Sequence, residues 1–182
     1  MPTIPLSSSA QKVPYSRIRE LAEIAMGMDG VLKLYFGESN MPTPQFIKDA
    51  AIRAMADGHT FQTANAGYPS LRQAIAEKYR QIHGVALDGL EEVVVTASGV
   101  QAISVGIRTV LDPGEEAMVL TPAWPNASAN ILMCSATPRE IPLCLAGDRY
   151  RIDFDAVEAA VGPRTRLLVY TSPSNPLGWV AT

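Results

Sequence analysis

From residue 91 onward, short apolar runs alternate with stretches of helical periodicity, and this alternation constrains the fold more than any other feature of the chain. Residues 93–96, 117–120, 137–143 and 166–170 read as strands, the third interrupted by prolines. Residues 100–111, 124–136 and 153–161 carry the amphipathic pattern of helices between them. Short strands rich in Val, Ile and Leu, separated by such helices, imply an α/β fold with a mostly parallel sheet and helices on both faces. Ligands of parallel sheets sit beyond the carboxyl ends of the strands. The expectation is therefore that chemistry resides in the loops that follow these runs.

Three of those loops are unusual. Val93-Val94-Val95-Thr96 runs into Ala97-Ser98-Gly99-Val100, where a helix begins. A helix N-terminus offers N–H groups without intrahelical partners and a favourable dipole, which suits an anion. Ser98 adds a hydroxyl, and Gly99 lets a phosphate approach the backbone. After the next run comes Thr121-Pro122-Ala123-Trp124-Pro125-Asn126. Trp124 between two prolines suits a rigid platform for a flat ring, and equally a tryptophan packed in the core. After the last run, Ser172-Pro173-Ser174-Asn175-Pro176-Leu177-Gly178 holds Asn175 in a turn where its amide can donate and accept. A turn asparagine without a ligand is the plain alternative.

The first ninety residues are organised differently. Residues 1–15 carry three prolines and a serine run, and read as an extended arm. A helix is expected from Ser16 toward Met28, then a strand over residues 31–36 and a loop through Pro42. Thr43-Pro44 reads as a helix start with Thr43 as cap, closing at Gly58. Residues 59–67 lack periodicity, and a further helix runs from Ser70 to Gly84. Two divisions follow: residues 1–42 as arm, helix and loop, and residues 43–182 as part of one larger domain.

Composition narrows the function. A net charge of −3 gives no reason to expect nucleic acid or an anionic membrane as partner. No apolar run approaches a membrane span, and the N-terminus lacks the basic-then-apolar order of a signal peptide. Cys134 and Cys144 are too few for a disulfide framework or zinc site, which is the pattern of a cytoplasmic protein with free thiols. His59 and His83 sit beside glycines at helix ends, where a structural role is expected.

Taken in chain order on three strand ends, these loops resemble those of the class I/II aminotransferases, the fold type I pyridoxal-phosphate enzymes. Gly37-Glu38 with Pro42-Thr43-Pro44 resembles the loop at the mouth of that family's substrate site. Ala66-Gly67-Tyr68-Pro69-Ser70-Leu71-Arg72 is similar to its Ala-Gly-x-Pro-x-Leu-Arg segment, and residues 172–178 to its Asn-Pro-Thr-Gly loop, with Leu177 replacing threonine. The resemblance implies that Ser98 and the amides of Gly99 and Val100 bind the phosphate of pyridoxal 5'-phosphate, and that Trp124 stacks on its ring. Asn175 would bond the phenolic oxygen and help hold the substrate carboxylate, and Gly37 would line the substrate side. It implies transfer of an amino group between an amino acid and a 2-oxo acid, and a homodimer. Two departures stand out. Gln62 occupies the position where the family often has a phosphate-contacting tyrosine. The family's Schiff-base lysine follows the asparagine loop, whereas Lys12, Lys33, Lys48 and Lys78 all precede Ser98. The chain thus resembles the N-terminal part of such an enzyme, expected to lack turnover alone. The same residues would serve an elimination or decarboxylation enzyme of this fold type, a non-catalytic truncated binding partner, or a phosphate-binding module. The last lacks any Gly-x-Gly-x-x-Gly or P-loop lysine motif.

Overall fold

A computed structural model describes residues 4–181; the first three residues of the expected arm, and Thr182, lie outside the described residues. In chain order the elements are α1 (Ser8–Lys12), α2 (Arg17–Met26), α3 (Gln45–Ala56), α4 (Pro69–His83) and α5 (Gly99–Val110). They continue with β1 (Glu116–Thr121), α6 (Asn126–Met133), β2 (Thr137–Pro142), β3 (Cys144–Ala146), β4 (Arg149–Arg151), α7 (Phe154–Ala160) and β5 (Thr165–Val169). The chain forms two compact units, Ile18–Ala97 and a second made of Met1–Arg17 with Ser98–Thr182.

The second unit is built on β1. It lies between β2 and β5, parallel to both, in the order β2-β1-β5. Successive side chains of a strand point to opposite faces, and here both faces are covered. Ala117 and Val119 pack with Ile107 and Leu111 from α5 and its end and with Ala127 and Ile131 from α6. Met118 and Leu120 pack with Ile141 of β2, against Ala156, Val157 and Ala160 of α7. The expected α/β architecture, with helices on both faces of a parallel sheet, holds. Pro138 and Pro142 do not break β2, because it pairs on one side only and an edge strand tolerates missing donors.

Other expectations change. Residues 31–36 and 93–96 are not strands. A β-branched run becomes a strand only when another chain segment offers a ladder, and no described strand pairs with either. The Val95 N–H donates instead to the Ala66 carbonyl at 2.9 Å. The arm is not wholly extended: Ser7 accepts a bond from the Ala10 N–H and starts α1, whose Ser9 hydroxyl lies 2.9 Å from that of Ser135. Thr43 does not cap α3; Pro44 holds that position with no side-chain bond. Helix α6 begins at Asn126, two residues past Trp124, and the β3–β4 hairpin was not expected. Asp153 caps α7 and Gly84 ends α4 in left-handed conformation.

The amino ends of the strands are tied by charge. Glu116, only 4% exposed, accepts from Arg139 Nε of β2 and from Arg164 Nη2 just before β5, each at 2.7 Å. Glu115 takes Arg166 Nε of β5 at 2.7 Å. Arg139 above all, and Arg164 after it, hold the Glu116 carboxyl below its ordinary range against the opposing effect of burial. The Asp112 N–H and then Arg166 do the same for Glu115. A depressed carboxylate pKa contributes stability that is complete above its unfolded value and lost as pH falls through the folded one. Melting temperature should therefore drop as pH falls below about 4.3, and Glu116→Gln should flatten that drop while lowering the melting temperature at pH 7. Equal acid slopes in the variant and parent would show that the clasp contributes nothing.

Candidate functional site

The order of connections locates the site. From β1 the chain crosses through α6 to β2 on one side, then returns through α7 to β5 on the other side of β1. The direction of winding reverses between β1 and β5, and the crevice outside their carboxyl ends is where parallel sheets bind ligands. A small cavity of about 10 Å³ lies there, lined by Leu120, Ala123, Leu143, Tyr170, Thr171, Ser174, Asn175 and Trp179.

Trp124 and Asn175 follow neighbouring parallel strands, so they share this edge. Trp124 is half-buried in the turn between β1 and α6, and its carbonyl accepts from the Ala127 N–H at 3.5 Å. Asn175 is exposed, in a loop tied at its neck. The Ser174 N–H donates to the Trp179 carbonyl, and the Gly178 N–H to the Ser174 carbonyl, both at 2.7 Å. Gly178, at φ +64°, supplies the left-handed turn that lets the neck close.

Ser98 stands at the start of α5, a helix of 12 residues. It has extended backbone (φ −161°, ψ 162°), and its Oγ accepts from the Gln101 N–H at 3.2 Å. Five residues, 111–115, connect α5 to β1, so the helix runs back along the strand. A 12-residue helix and a six-residue strand are both about 18–20 Å long, which brings the N-terminus of α5 to the carboxyl edge of the sheet. Gly99 is exposed and no atom lies within 4 Å of the point a Cβ would occupy, while Val100 is 40% exposed. The space around Gly99 is thus uncrowded. A hydroxyl both accepts and donates, so capping Gln101 is compatible with bonding a phosphate oxygen.

The cavity unites Asn175 with Tyr170, Thr171, Ser174 and Trp179, none of which sequence reading singled out; Ser98 and Trp124 share the edge without lining it. Tyr170 carried the available signal, as a polar ring just past an apolar run ending a parallel strand. Gly37 lies in the other unit and is exposed, next to Phe36, whose ring carries the Arg19 guanidinium 5.1 Å above its centre. Gln62 is also exposed there. No Asp, Glu, Lys or Arg lines the carboxyl-edge cavity, whose wall mixes Leu120, Ala123 and Leu143 with Tyr170, Thr171, Ser174 and Asn175, while the shifted carboxylates Glu115 and Glu116 occupy the opposite ends of the strands. A larger cavity of about 640 Å³ lies beside the hairpin, with Arg149, Arg151, Tyr150, Phe154 and Trp179 in its wall. Among the described residues there is no His/Cys/Asp/Glu cluster that would hold a metal, and no helix is long and apolar enough to cross a membrane.

A family model described as aminotransferase class I and II matches residues 30–182. The chain belongs to that family. Among curated relatives, it is 32% identical over 177 residues to aromatic-amino-acid aminotransferase 2 of Thermococcus litoralis, covering 97% of this chain and 45% of that protein. It is 38% identical over 154 residues to the probable aspartate/prephenate aminotransferase of Thermus aquaticus, covering 85% and 39%. Of solved structures, N-succinyldiaminopimelate aminotransferase from Mycobacterium tuberculosis superposes with a TM-score of 0.92 at 30% identity, over 98% of this chain and 46% of that one. The chain spans about half the length, or less, of the aminotransferases it matches. Its fold is that of the fold type I aminotransferases.

In this aminotransferase-family chain the Asn175 loop depends on its neck. Gly178→Ala places a Cβ in left-handed backbone, a cost of about 1–2 kcal/mol. Hydrogen exchange should accelerate about tenfold at the Ser174 amide and stay unchanged at Val119 in the core. Unchanged exchange at Ser174 would mean that the neck is held by something other than this turn.

Proposed function

We propose that this chain provides the phosphate- and ring-binding surface of a pyridoxal 5'-phosphate-dependent aminotransferase that moves an amino group between an amino acid and a 2-oxo acid. One observation supports the reading: the Trp124 turn and the necked Asn175 loop follow neighbouring parallel strands where the winding of the sheet reverses, and the lengths of α5 and β1 bring the Ser98 turn toward that edge. The donor set fits the cofactor. A helix N-terminus with a serine cap and an uncrowded glycine suits a phosphate dianion. An indole suits a pyridine face, and a primary amide suits a phenolic oxygen beside a carboxylate.

When bound, the cofactor supplies the carbonyl that takes up the amino group and the ring that withdraws electrons. This chain's residues do the holding. Ser98 donates its hydroxyl, and Gly99 and Val100 their N–H groups, to the phosphate, which fixes one end of the ring. Trp124 covers one ring face and excludes water from it. The Asn175 amide donates to the phenolic oxygen and helps orient the substrate carboxylate. Gly37 takes the substrate side by family resemblance. All four lysines precede Ser98 in sequence, so the covalent anchor is not assigned to any residue here. The purified chain is accordingly expected to bind without turnover.

A homodimer is part of the proposal. Helix α3 buries none of its residues, and Phe46, Ile52 and Met55 on it are 72%, 57% and 60% exposed, surface that favours association. The free thiols of Cys134 and Cys144 support a reducing compartment such as the cytoplasm.

Pyridoxamine 5'-phosphate tests the reading, because it has no aldehyde to react with surface lysines. Trp124→Ala should weaken its binding about fivefold or more by calorimetry, the equivalent of about 1 kcal/mol of stacking, and Trp124→Phe should restore most of it. Inorganic phosphate should bind parent and Trp124→Ala alike. Equal affinity of Trp124→Ala and parent for the pyridine ligand would make Trp124 a core residue and overturn the assignment.

A further inference from the structure

The unit that holds β1 contains the larger cavity beside the hairpin, and the family resemblance gives that cavity no role. At about 640 Å³ it falls within the range of sites that take small organic molecules. Strand β4, the start of α7 and residues 179–181 form its wall.

The wall is cationic and aromatic. Arg149 and Arg151 stand two residues apart on β4, so they leave the same face of the strand with Cα atoms roughly 7 Å apart. Pairing with β3 fixes their backbone, Arg149 opposite Ala146 and Arg151 opposite Cys144. Elsewhere in this unit Arg139, Arg164 and Arg166 each hold a carboxylate at 2.7 Å. Arg149 and Arg151 hold none, and among the described residues neither guanidinium has a hydrogen-bond or ion-pair partner. No Asp or Glu lines the cavity. Asp153, between Ile152 and Phe154 in sequence, is engaged by the Ala156 N–H at 3.0 Å. Phe154 and Trp179 supply ring surface, and Ile152 packs against Met118, Leu120 and Ile141, which ties the wall to the sheet core.

Two unpartnered guanidiniums beside aromatic rings complement a molecule that carries both a carboxylate and a flat ring. The guanidinium fork matches a carboxylate, and aromatic faces shelter a ring from water. An inorganic anion would leave the ring surface unused. Trp179 also lines the small cavity at the carboxyl edge of the sheet. Its carbonyl accepts from the Ser174 N–H at 2.7 Å, the bond that closes the neck of the Asn175 loop. The Ala181 N–H reaches the Tyr170 hydroxyl at 3.4 Å, so the strap that carries Trp179 is fastened just past β5.

We infer that the hairpin cavity is a second binding site, for small ring-bearing carboxylates, and that filling it steadies the neck of the Asn175 loop. Arg149 and Arg151 take the carboxylate and Trp179 takes the ring. A ligand resting on the indole restrains the residue whose carbonyl receives the Ser174 N–H, so opening of the neck becomes rarer. The inference goes beyond the function proposed above and needs no cofactor to be bound.

The probe is 2-naphthoate, compared with 2-naphthalenemethanol, which keeps the ring without the charge, and acetate, which keeps the charge without the ring. Binding is read at the Trp179 indole N–H by NMR, and the neck by hydrogen exchange at the Ser174 amide. In the parent chain 2-naphthoate should move the Trp179 signal along a saturable curve and slow Ser174 exchange several-fold. The alcohol and acetate should each bind about tenfold more weakly. The double variant Arg149→Gln/Arg151→Gln should lose about tenfold in affinity for 2-naphthoate. Arg108→Gln, which removes an exposed charge from α5, should bind like the parent, and so should Asn175→Ala. Should the double variant fail to fold, Arg149→Gln and Arg151→Gln singly carry the test, each binding several-fold more weakly. Undiminished affinity in the arginine variants, or equal affinity for the alcohol, would overturn the inference. Loss of binding in Asn175→Ala would overturn it too, by placing the ring in the carboxyl-edge cavity. Binding that leaves Ser174 exchange unchanged overturns the inference as stated, because the cavity would then hold a ligand without bearing on the loop.

Discussion

Strand β1 is the constraint on which the Ser98–Thr182 unit depends. It is the one strand of the β2-β1-β5 sheet paired on both edges, and its inward-facing residues on both faces are buried, from Glu116 through Leu120. Ala117 and Val119 seat α5 and α6, while Met118 and Leu120 seat α7. Ala117 and Val119, small and β-branched, let the helices on their face approach closely, and unbranched Met118 adapts to the space on the other. The loops that carry Trp124 and Asn175 leave the carboxyl ends of β1 and its neighbour β5, so the place of both residues depends on this strand.

The two ends of the sheet divide the chemistry. The amino ends carry the Glu116–Arg139–Arg164 clasp and the Glu115–Arg166 pair, which tie the three strands together. The carboxyl ends carry backbone N–H groups, an indole, an amide and hydroxyls, and no charged side chain lines the small cavity there. An uncharged cradle suits a ligand that brings its own negative charge, since the helix dipole is then not competing with nearby carboxylates. It also separates acid sensitivity of the fold from the binding surface. Lowering the pH should loosen the strands from the end remote from the ligand.

How much of this was legible in the sequence depends on whether the cause was local. Strands β1, β2 and β5 and helices α4, α5 and α7 announce themselves by apolar period and by end signals such as Asp153 and Gly84. Their boundaries follow from neighbours a few residues away. Residues 31–36 and 93–96 have the composition of strands, yet a ladder is a property of two segments and cannot be read from one. The cap at Ser7 was masked by the prolines around it, which correctly signal irregular backbone but do not forbid one helical turn. Ser98, Trp124 and Asn175 were legible as turn chemistry, because small residues, prolines and glycine leave local traces. The neck that joins Ser174 to Trp179 was not, since it links backbone groups that only the folded chain brings together.

The central claim is that one ligand touches the first turn of α5, the Trp124 turn and the Asn175 loop together. The direct measurement is a titration of the isotopically labelled chain with pyridoxamine 5'-phosphate, followed by NMR at the Gly99 and Val100 amides, the Trp124 indole N–H and the Asn175 side-chain amide. The account predicts that all four signals move along one binding curve with a single dissociation constant. Shifts confined to the cavity around Arg149, Arg151 and Trp179, with Gly99 and Val100 unmoved, would contradict it and place the anion beside the hairpin instead.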